Sequence, residues 1–310
     1  MAFRYQTSND HPVYLRTIFR SLRLTIGLVA FIFALVGALP IGNAISRVQA
    51  QGAGSAKTYI NYPETVETAD GKAIGLNLYF TIIDSNGKAV PNAQIKSAQI
   101  VLDTASYPAQ VSQATTPIYI VLAVDASGHM FPFATPLKAA VRDALSKPPK
   151  NSQFELITFA ESSTVVETFV SDANRIINDV TNLHIPTISQ ATCLYDVAYE
   201  SVQNLAQAGT SGRRAMILFT DGRDETLNSP KPCSQHTMAD VVDLATRDNT
   251  HVPINTVGFK DSTVDIANLR LLAQQTGGLA AVGDATTLTQ SFDQIIQGIS
   301  SQLVASATVY

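Results

Sequence analysis

Five polar residues in three separate stretches of the sequence could together bind a divalent cation. They are Asp125, Ser127 and His129 in Asp-Ala-Ser-Gly-His, Thr192 in Ala-Thr-Cys-Leu-Tyr-Asp, and Asp221 in Thr-Asp-Gly. Carboxylates and hydroxyls are hard oxygen donors, the set that Mg²⁺ prefers, and water fills the remaining octahedral positions. The residue types therefore indicate a site for Mg²⁺ or Mn²⁺.

The elements around these stretches would bring them to a common place. The apolar runs 118–124 and 215–219 are typical of buried central strands, and 194–206 has the spacing of a helix. In a doubly wound sheet, ligands bind beyond the carboxyl ends of the strands. We therefore expect the three stretches to converge on one edge of the sheet.

From residue 117 onward, strands alternate with helices. Further strands are predicted over 154–159, 254–259 and 279–282, an edge hairpin over 164–170, and helices over 136–145, 237–246, 266–275 and 288–303. This alternation predicts an α/β fold, with a doubly wound, mostly parallel sheet and helices on both faces.

The order of these motifs resembles the von Willebrand factor type A family, over about 190 residues of the chain. The metal-ion-dependent adhesion site of that family reads Asp-x-Ser-x-Ser, then a distant Thr, then an Asp followed by Gly. Asp125, Ser127, Thr192 and Asp221 match these positions, and His129 stands where the second serine belongs. The resemblance implies a module that binds a protein or peptide, whose acidic side chain completes the coordination of the cation.

The histidine leaves three interpretations of the site open. Neutral imidazole suits Zn²⁺, Mn²⁺ or Ni²⁺ better than Mg²⁺, and protonated imidazole repels any cation. The site could bind Mg²⁺ with water in place of the lost hydroxyl, or prefer a transition metal such as Zn²⁺ through His129. It could also bind no metal and persist as a scaffold.

The two cysteines flank the expected site. Cys193 follows Thr192 directly, and Cys233 lies in the loop after Asp221, so both fall near the same rim of the predicted sheet. They either form one disulfide that joins the two loops or remain two unpaired thiols. An exported location would let such a bridge persist.

The first fifty residues have the features of a membrane segment. Four arginines precede an apolar run without charge over 24–39, which continues weakly to residue 45. The segment is either a retained anchor helix or a signal peptide cleaved after Ala50. In both cases the basic flank stays inside, and the rest is expected to be extracytoplasmic, either anchored in the membrane or secreted.

Four segments follow from these patterns. They are the signal or anchor segment over 1–50, a linker rich in small residues over 51–57, a small β-rich region over 58–116, and the von Willebrand factor type A-like domain over 117–306. In the β-rich region, alternating apolar residues from Leu76 to Ile82 precede a turn at Asp-Ser-Asn-Gly.

Charge excludes one class of partner. The chain has a net charge of −4, but residues 1–50 hold five of its 21 basic residues and one of its 25 acidic residues, which leaves −8 for residues 51–310. An acidic exported part without a basic stripe lacks the electrostatic footprint of nucleic-acid binding.

Three functions remain to be compared. The first is an exported adhesion module that binds an acidic partner through the cation, without catalysis. The second is a metal-free structural interaction domain, in which the β-rich region binds the partner. The third is a metal-assisted hydrolase, which is weakly supported because Ser127 and His129 share one loop and no Gly-x-Ser-x-Gly elbow is present.

Overall fold

The computed structural model describes residues 2–5, 57–67, 73–91, 93, 95, 97–102, 105–188, 190–208, 212–227, 229, 231–247, 250–259 and 265–309. The expected membrane run over 24–45 and residues 51–56 of the expected linker lie outside these described residues. Within the described part of the chain, no helix is both long and apolar enough to cross a membrane.

The described residues form twelve strands and six α-helices. The strands are β1 (Ala2–Tyr5), β2 (Lys57–Glu67), β3 (Ile74–Ile83), β4 (Ala98–Leu102), β5 (Ala105–Gln113), β6 (Ile118–Asp125), β7 (Ser152–Phe159), β8 (Ser163–Val170), β9 (Arg213–Thr220), β10 (Ile254–Phe259), β11 (Ala280–Gly283) and β12 (Leu303–Val309). The helices are α1 (Ala134–Leu145), α2 (Ala173–Asn182), α3 (Leu194–Ala208), α4 (Met238–Ala245), α5 (Ile266–Thr276) and α6 (Leu288–Ser300).

The chain divides into two compact units, and the smaller one is a β-sheet. It comprises the described parts of Met1–Tyr59, Pro63–Gln113 and Leu303–Tyr310. Its six strands lie in the order β1-β4-β5-β12-β3-β2. The β-rich region expected over 58–116 contributes four of them, β2 to β5.

Strand β12 differs from the sequence prediction, which placed Leu303 on a helix and ended the α/β domain at residue 306. Helix α6 ends at Ser300, and β12 pairs antiparallel with both β3 and β5 in the smaller sheet. Leu303, Ala305, Ala307 and Val309 are buried, whereas the residues between them are more exposed. This period of two is that of a strand, although the spacing from Ile299 to Leu303 also fits a helix turn.

The larger unit has the expected α/β architecture. It comprises Ile60–Tyr62 and Ala114–Gln302, and its strands lie in the order β11-β10-β9-β6-β7-β8. Its neighbouring strands are parallel, except that β8 runs antiparallel to β7 at one edge. The apolar runs of β6 and β9 are buried, as expected of central strands covered on both sides.

Helices cover both faces of this sheet. On one face, Val121 and Ala123 of β6 pack in a cluster with Leu194 of α3 and Val241 of α4. On the other face, Phe219 of β9 makes an edge contact with Phe292 of α6, with ring centroids 4.7 Å apart. The sheet is therefore doubly wound.

Helix α2 was not predicted from the sequence. The Asp172 side chain accepts a hydrogen bond from the backbone N–H of Asn174 at its start, which is the signature of an N-cap. Ala173, Ile176 and Val180 form its buried face. Only three buried residues over ten give a weak periodic signal in a sequence.

The carboxyl ends of β6 and β9 lie side by side. Val124 of β6 is in register with Phe219 of β9. The next residues are Asp125 on one strand and Thr220 followed by Asp221 on the other. Parallel pairing thus brings two of the stretches singled out from the sequence to one edge of the sheet.

Candidate metal-binding site

Asp125, the last residue of β6, is fully buried and held by two hydrogen bonds. The Thr220 hydroxyl donates to Oδ2 at 2.8 Å, and the backbone N–H of Ser127 donates to Oδ1 at 2.9 Å. The Thr220 hydroxyl also accepts from the backbone N–H of Gly222 at 3.0 Å. The carboxylate therefore has a defined orientation on two neighbouring strand ends.

Burial raises the pKa of Asp125 to about 7, because little water reaches the ionised carboxylate. The nearby Asp221 carboxylate raises it further, and the groups contributed by Ser127 and Thr220 lower it. Ser127 Oγ lies close enough to act on this pKa, but it lacks the geometry of a hydrogen bond to the carboxylate. A positive charge here would favour the ionised form.

Two buried hydroxyls at the site have no hydrogen-bond partner. Ser127 Oγ and Thr192 Oγ1 are both inaccessible to solvent, and neither oxygen makes a hydrogen bond. Burying a hydroxyl without a partner costs about 1–3 kcal/mol. These two oxygens are therefore available to a ligand that can accept their lone pairs, such as a hard cation.

Asp221 follows β9 directly and is nearly buried. Arg223 binds it twice, with Nε 2.9 Å from Oδ2 and the backbone N–H 3.1 Å from Oδ1. Gly222 between them has a φ of +87°, and a Cβ there would lie 3.2 Å from the Asp265 carbonyl oxygen. The left-handed backbone, which glycine adopts readily, lets Arg223 fold back onto Asp221.

Burial also raises the pKa of Asp221, and Arg223 opposes this rise through its backbone N–H and its positive charge. His129 lowers the same pKa electrostatically, and Glu225 raises it. These four residues therefore lie within electrostatic range of one another. The guanidinium already offsets the charge of Asp221.

His129 lies in a 3₁₀ turn, Gly128–Phe133, that leads into α1. Its side chain is half-buried, and Nδ1 lies 3.9 Å from Oε1 of Glu225. The same Glu225 oxygen lies 3.3 Å from an Arg223 guanidinium nitrogen. Glu225 thus faces the histidine and the arginine together at the rim of the site.

The loops that carry the site residues are joined to one another. Thr192 and Glu225 exchange backbone hydrogen bonds of 2.9 and 3.1 Å. The Asp224 carboxylate accepts a hydrogen bond from the Leu194 backbone N–H at 3.1 Å. Cys193 and Cys233 form a disulfide, which is one of the two alternatives that the sequence left open.

All five residues predicted from the sequence lie at this edge, and all but Thr192 interact directly or electrostatically with another of the five. Asp125 interacts with Ser127 and Asp221, Asp221 with His129, and Thr192 is joined to the loop after Asp221. Thr220, Arg223 and Glu225 also belong to the site and were not among the ligands predicted from the sequence. The sequence signal that could have revealed them is the run Thr-Asp-Gly-Arg-Asp-Glu, in which charged residues lie on both sides of a glycine.

The donor set at this edge is rich in hydroxyls rather than in nitrogen or sulfur. Within the ranges that the structure describes, no three His, Cys, Asp or Glu side chains are grouped so that they could hold a metal ion. Transition metals favour imidazole and thiolate ligands. The residues present therefore suit a hard cation held by Ser127, Thr192 and carboxylates better than a zinc centre.

Comparison with known proteins finds one family model that matches part of the α/β unit. Residues 120–223 match the family model of the von Willebrand factor type A domain, and this segment includes all five predicted site residues. No curated protein sequence matches the chain.

Several solved structures are similar to the chain at low sequence identity. The PilB minor pilin from Streptococcus sanguinis is 14% identical, with 83% of this chain and 81% of the pilin covered and a TM-score of 0.47. A von Willebrand factor type A structure from Catenulispora acidiphila is 14% identical, with 81% and 51% covered and a TM-score of 0.47. The corresponding domain of the type V pili tip protein Mfa5 from Porphyromonas gingivalis is 12% identical, with 60% and 96% covered and a TM-score of 0.45.

Proposed function

Residues 120–223 match the family model of the von Willebrand factor type A domain, and from this match we propose that the chain is a binding module that works without catalysis. It captures an acidic side chain of a protein or peptide through a divalent cation. Asp125, Ser127, Thr192 and Asp221 hold the cation.

The observation that carries this proposal is the pair of buried hydroxyls without hydrogen-bond partners. Ser127 Oγ lies near the buried Asp125 carboxylate, and Thr192 lies in a loop that is hydrogen-bonded to the loop after the nearly buried Asp221. A divalent cation would accept lone pairs from both hydroxyls and offset the buried negative charge at the same time. The four side chains thus fit such an ion as a set.

The donor types favour Mg²⁺ or Mn²⁺ over Zn²⁺. Hydroxyl and carboxylate oxygens are hard ligands, and Mg²⁺ keeps several waters when it binds to proteins. His129 could add one nitrogen, which would favour Mn²⁺ or Zn²⁺. Because Nδ1 of His129 lies 3.9 Å from Glu225, we propose that this histidine borders the ion and that water takes the place of the missing serine.

Each residue of the candidate site has a defined part in the proposed binding. Thr220 and the Ser127 backbone hold the Asp125 carboxylate in place, and Arg223 holds that of Asp221. Ser127 and Thr192 contribute neutral oxygens. A bound cation would supply the electrostatic attraction for the partner's carboxylate, and no covalent bond is made or broken.

The geometry gives little support to a hydrolase. A serine nucleophile needs a base within hydrogen-bond reach, and Ser127 Oγ makes no hydrogen bond. The alternative of a metal-free interaction domain differs in one respect, because it requires no ion at the two free hydroxyls. It predicts that Asp125→Asn leaves partner binding unchanged.

We also propose that the chain is exported and either anchored or secreted. Four arginines before an uncharged apolar run at 24–39 support this orientation. The disulfide between Cys193 and Cys233 supports it independently, because such bridges persist in oxidising compartments.

Calorimetry on the purified full-length chain tests the proposal. Titrations with Mg²⁺, Mn²⁺ and Zn²⁺ on the wild type, Asp125→Asn and His129→Ser are expected to give wild-type binding of Mg²⁺ or Mn²⁺ that Asp125→Asn abolishes. His129→Ser, which restores the family pattern, should strengthen Mg²⁺ binding. A wild type that binds none of the three ions would contradict the proposal, and gained Mg²⁺ affinity in His129→Ser alone would identify a disabled site.

A further inference from the structure

Three exposed apolar side chains stand on the three loops that carry the candidate site. Phe131, Ile188 and Leu227 are 50%, 74% and 52% exposed. Phe131 lies two residues after His129, Ile188 four before Thr192, and Leu227 two after Glu225. Four residues of extended chain span at most about 14 Å, so the Cα atom of each apolar residue lies within that distance of the Cα atom of a site residue.

The structure around Phe131 turns its ring outward. In the 3₁₀ turn over Gly128–Phe133, Met130 is fully buried and Phe133 packs against Phe259, with ring centroids 4.9 Å apart. The turn directs these neighbours into the unit, and Phe131 between them is left half-exposed. Its exposure is therefore built into the local fold.

The other two side chains lie in the loops before Thr192 and after Glu225. Leu227 lies in a tight turn. The backbone N–H of Ser229 donates to the carbonyl oxygen of Thr226 at 3.2 Å, and the backbone N–H of Thr226 donates to the carbonyl oxygen of Lys231 at 2.9 Å. Ile188 follows the buried Ile185 in the loop before Thr192, and is more exposed than any other large apolar side chain in the described part of the chain. An exposed apolar group close to a polar site is a feature of interaction surfaces.

The charge of the site indicates which chemical group a partner would place there. Ser127 and Thr192 are neutral donors, and Arg223 offsets the charge of Asp221 at 2.9 Å. A divalent cation held there would therefore keep much of its positive charge, which favours an anionic group on the partner. The apolar side chains on the same loops would contact the residues that flank the anionic residue of the partner.

We infer that the partner of this surface is a protein segment in which a carboxylate is flanked by large apolar side chains, with Phe131, Ile188 and Leu227 as the residues that select it. This inference rests on the proposed function and adds the class of ligand sequence. Burial of exposed apolar area supplies the affinity that a single carboxylate lacks. A small free anion would leave the three side chains in water, and a net charge of −8 over residues 51–310 opposes docking on an anionic membrane.

Blocked pentapeptides test this inference with the full-length chain in saturating Mg²⁺. The probes are Ser-Phe-Glu-Leu-Ser, Ser-Ser-Glu-Ser-Ser and Ser-Phe-Gln-Leu-Ser, and their affinities are measured by peptide-observed NMR. The first probe is expected to bind about tenfold more tightly than either of the others. Equal binding of the first two would overturn the inference, and so would equal binding of the Glu and Gln probes.

A matched pair of variants distinguishes peptide selection by these three side chains from nonspecific hydrophobic binding. Combining Phe131→Ser, Ile188→Ser and Leu227→Ser should remove the preference and leave Mg²⁺ affinity and thermal stability unchanged. The control combines Val165→Ser and Val166→Ser, which alter exposed apolar residues on edge strand β8, and should keep the preference. If the control loses it equally, the inference is wrong. If the wild type binds no Mg²⁺ in calorimetry, the proposed function itself fails.

Discussion

Thr192 and Glu225 exchange two backbone hydrogen bonds, of 2.9 and 3.1 Å, although they lie in different loops. The pair places Thr192 against the loop that begins at Asp221. The disulfide from Cys193 to Cys233 ties the same two loops again. A displacement of the loop after β9 would therefore displace a candidate metal donor that precedes α3.

The unpartnered hydroxyls are expected to cost stability in the absence of a cation. Ser127→Ala and Thr192→Val each remove one such group, so each should stabilise the metal-free protein by about 1 kcal/mol. Each should also weaken Mg²⁺ or Mn²⁺ binding about tenfold or more. Chemical denaturation in EDTA and calorimetry measure the two effects.

Ser201→Ala is the control for this pair. Ser201 lies on α3, is fully buried, and also has a hydroxyl without a hydrogen bond. It should stabilise the metal-free protein in the same way and leave metal affinity unchanged. Equal loss of metal affinity in Ser127→Ala and Ser201→Ala would remove the case for Ser127 as a ligand.

Asp125 should make the metal-free protein less stable as pH rises. Its pKa is about 7 in the folded chain and near 3.8 when unperturbed, so the folded state holds the proton that the unfolded state releases. This contribution is complete below pH 4 and is lost between about pH 4 and 7, with a magnitude on the order of 2–4 kcal/mol. Denaturation in EDTA across this range should show the decline in the wild type and a flatter profile in Asp125→Asn. Parallel profiles for the two proteins would be the contrary result.

Arg223 is expected to act oppositely on the cation and on the partner. Arg223→Gln removes a positive charge beside Asp221, so metal affinity should rise roughly three- to tenfold. Binding of an acidic peptide should weaken, because the surface becomes less positive. Arg223→Lys keeps the charge and should change both affinities less. A fall in metal affinity with Arg223→Gln would mean that the guanidinium mainly positions Asp221.

The disulfide should stabilise the fold and the site together. It closes a loop of 40 residues, which contributes about 3–4 kcal/mol in the chain-entropy account. Cys193→Ala with Cys233→Ala should lower the free energy of unfolding by that order. It should also weaken cation binding, because Cys193 adjoins Thr192. An unchanged metal affinity would show that the Thr192–Glu225 pair holds the loop without the bridge.

The central strands and the convergence of the candidate site residues on one sheet edge could be predicted from the sequence. An uncharged apolar run ending in Asp125 marks a buried strand, and the carboxyl ends of parallel strands meet at one edge. The site residues lie far apart in the sequence, but the strands and helices that carry them could each be predicted from local patterns. The family match over residues 120–223 confirms the resemblance on which the assignment was based.

The ion pair of Arg223 with Asp221 could not be predicted. It depends on the left-handed backbone at Gly222, with its φ of +87°, and a sequence shows only that glycine permits that conformation. The free hydroxyls of Ser127 and Thr192 were equally hidden, since the absence of a hydrogen bond is a property of the folded surroundings.

The smaller sheet was beyond prediction for a different reason. Strand β12 pairs with β3 and β5 across 222 and 189 intervening residues, counted from Phe80 and Gln113, which both lie opposite Leu303. Local periodicity carries no information on such pairings. The local periodicity around Leu303 also fits the end of a helix. The sequence therefore predicted that the α/β domain extends to residue 306.

The position of β12 imposes an order on biosynthesis. Its neighbours β3 and β5 are made early, but the strand that joins them follows the whole insertion over 114–302. Until then each neighbour has an unpaired edge, and such edges invite association between chains. A nascent or translocating chain would therefore need its α/β insertion to fold quickly or its early strands to be shielded, which gives chaperones at the exit site a specific segment to protect.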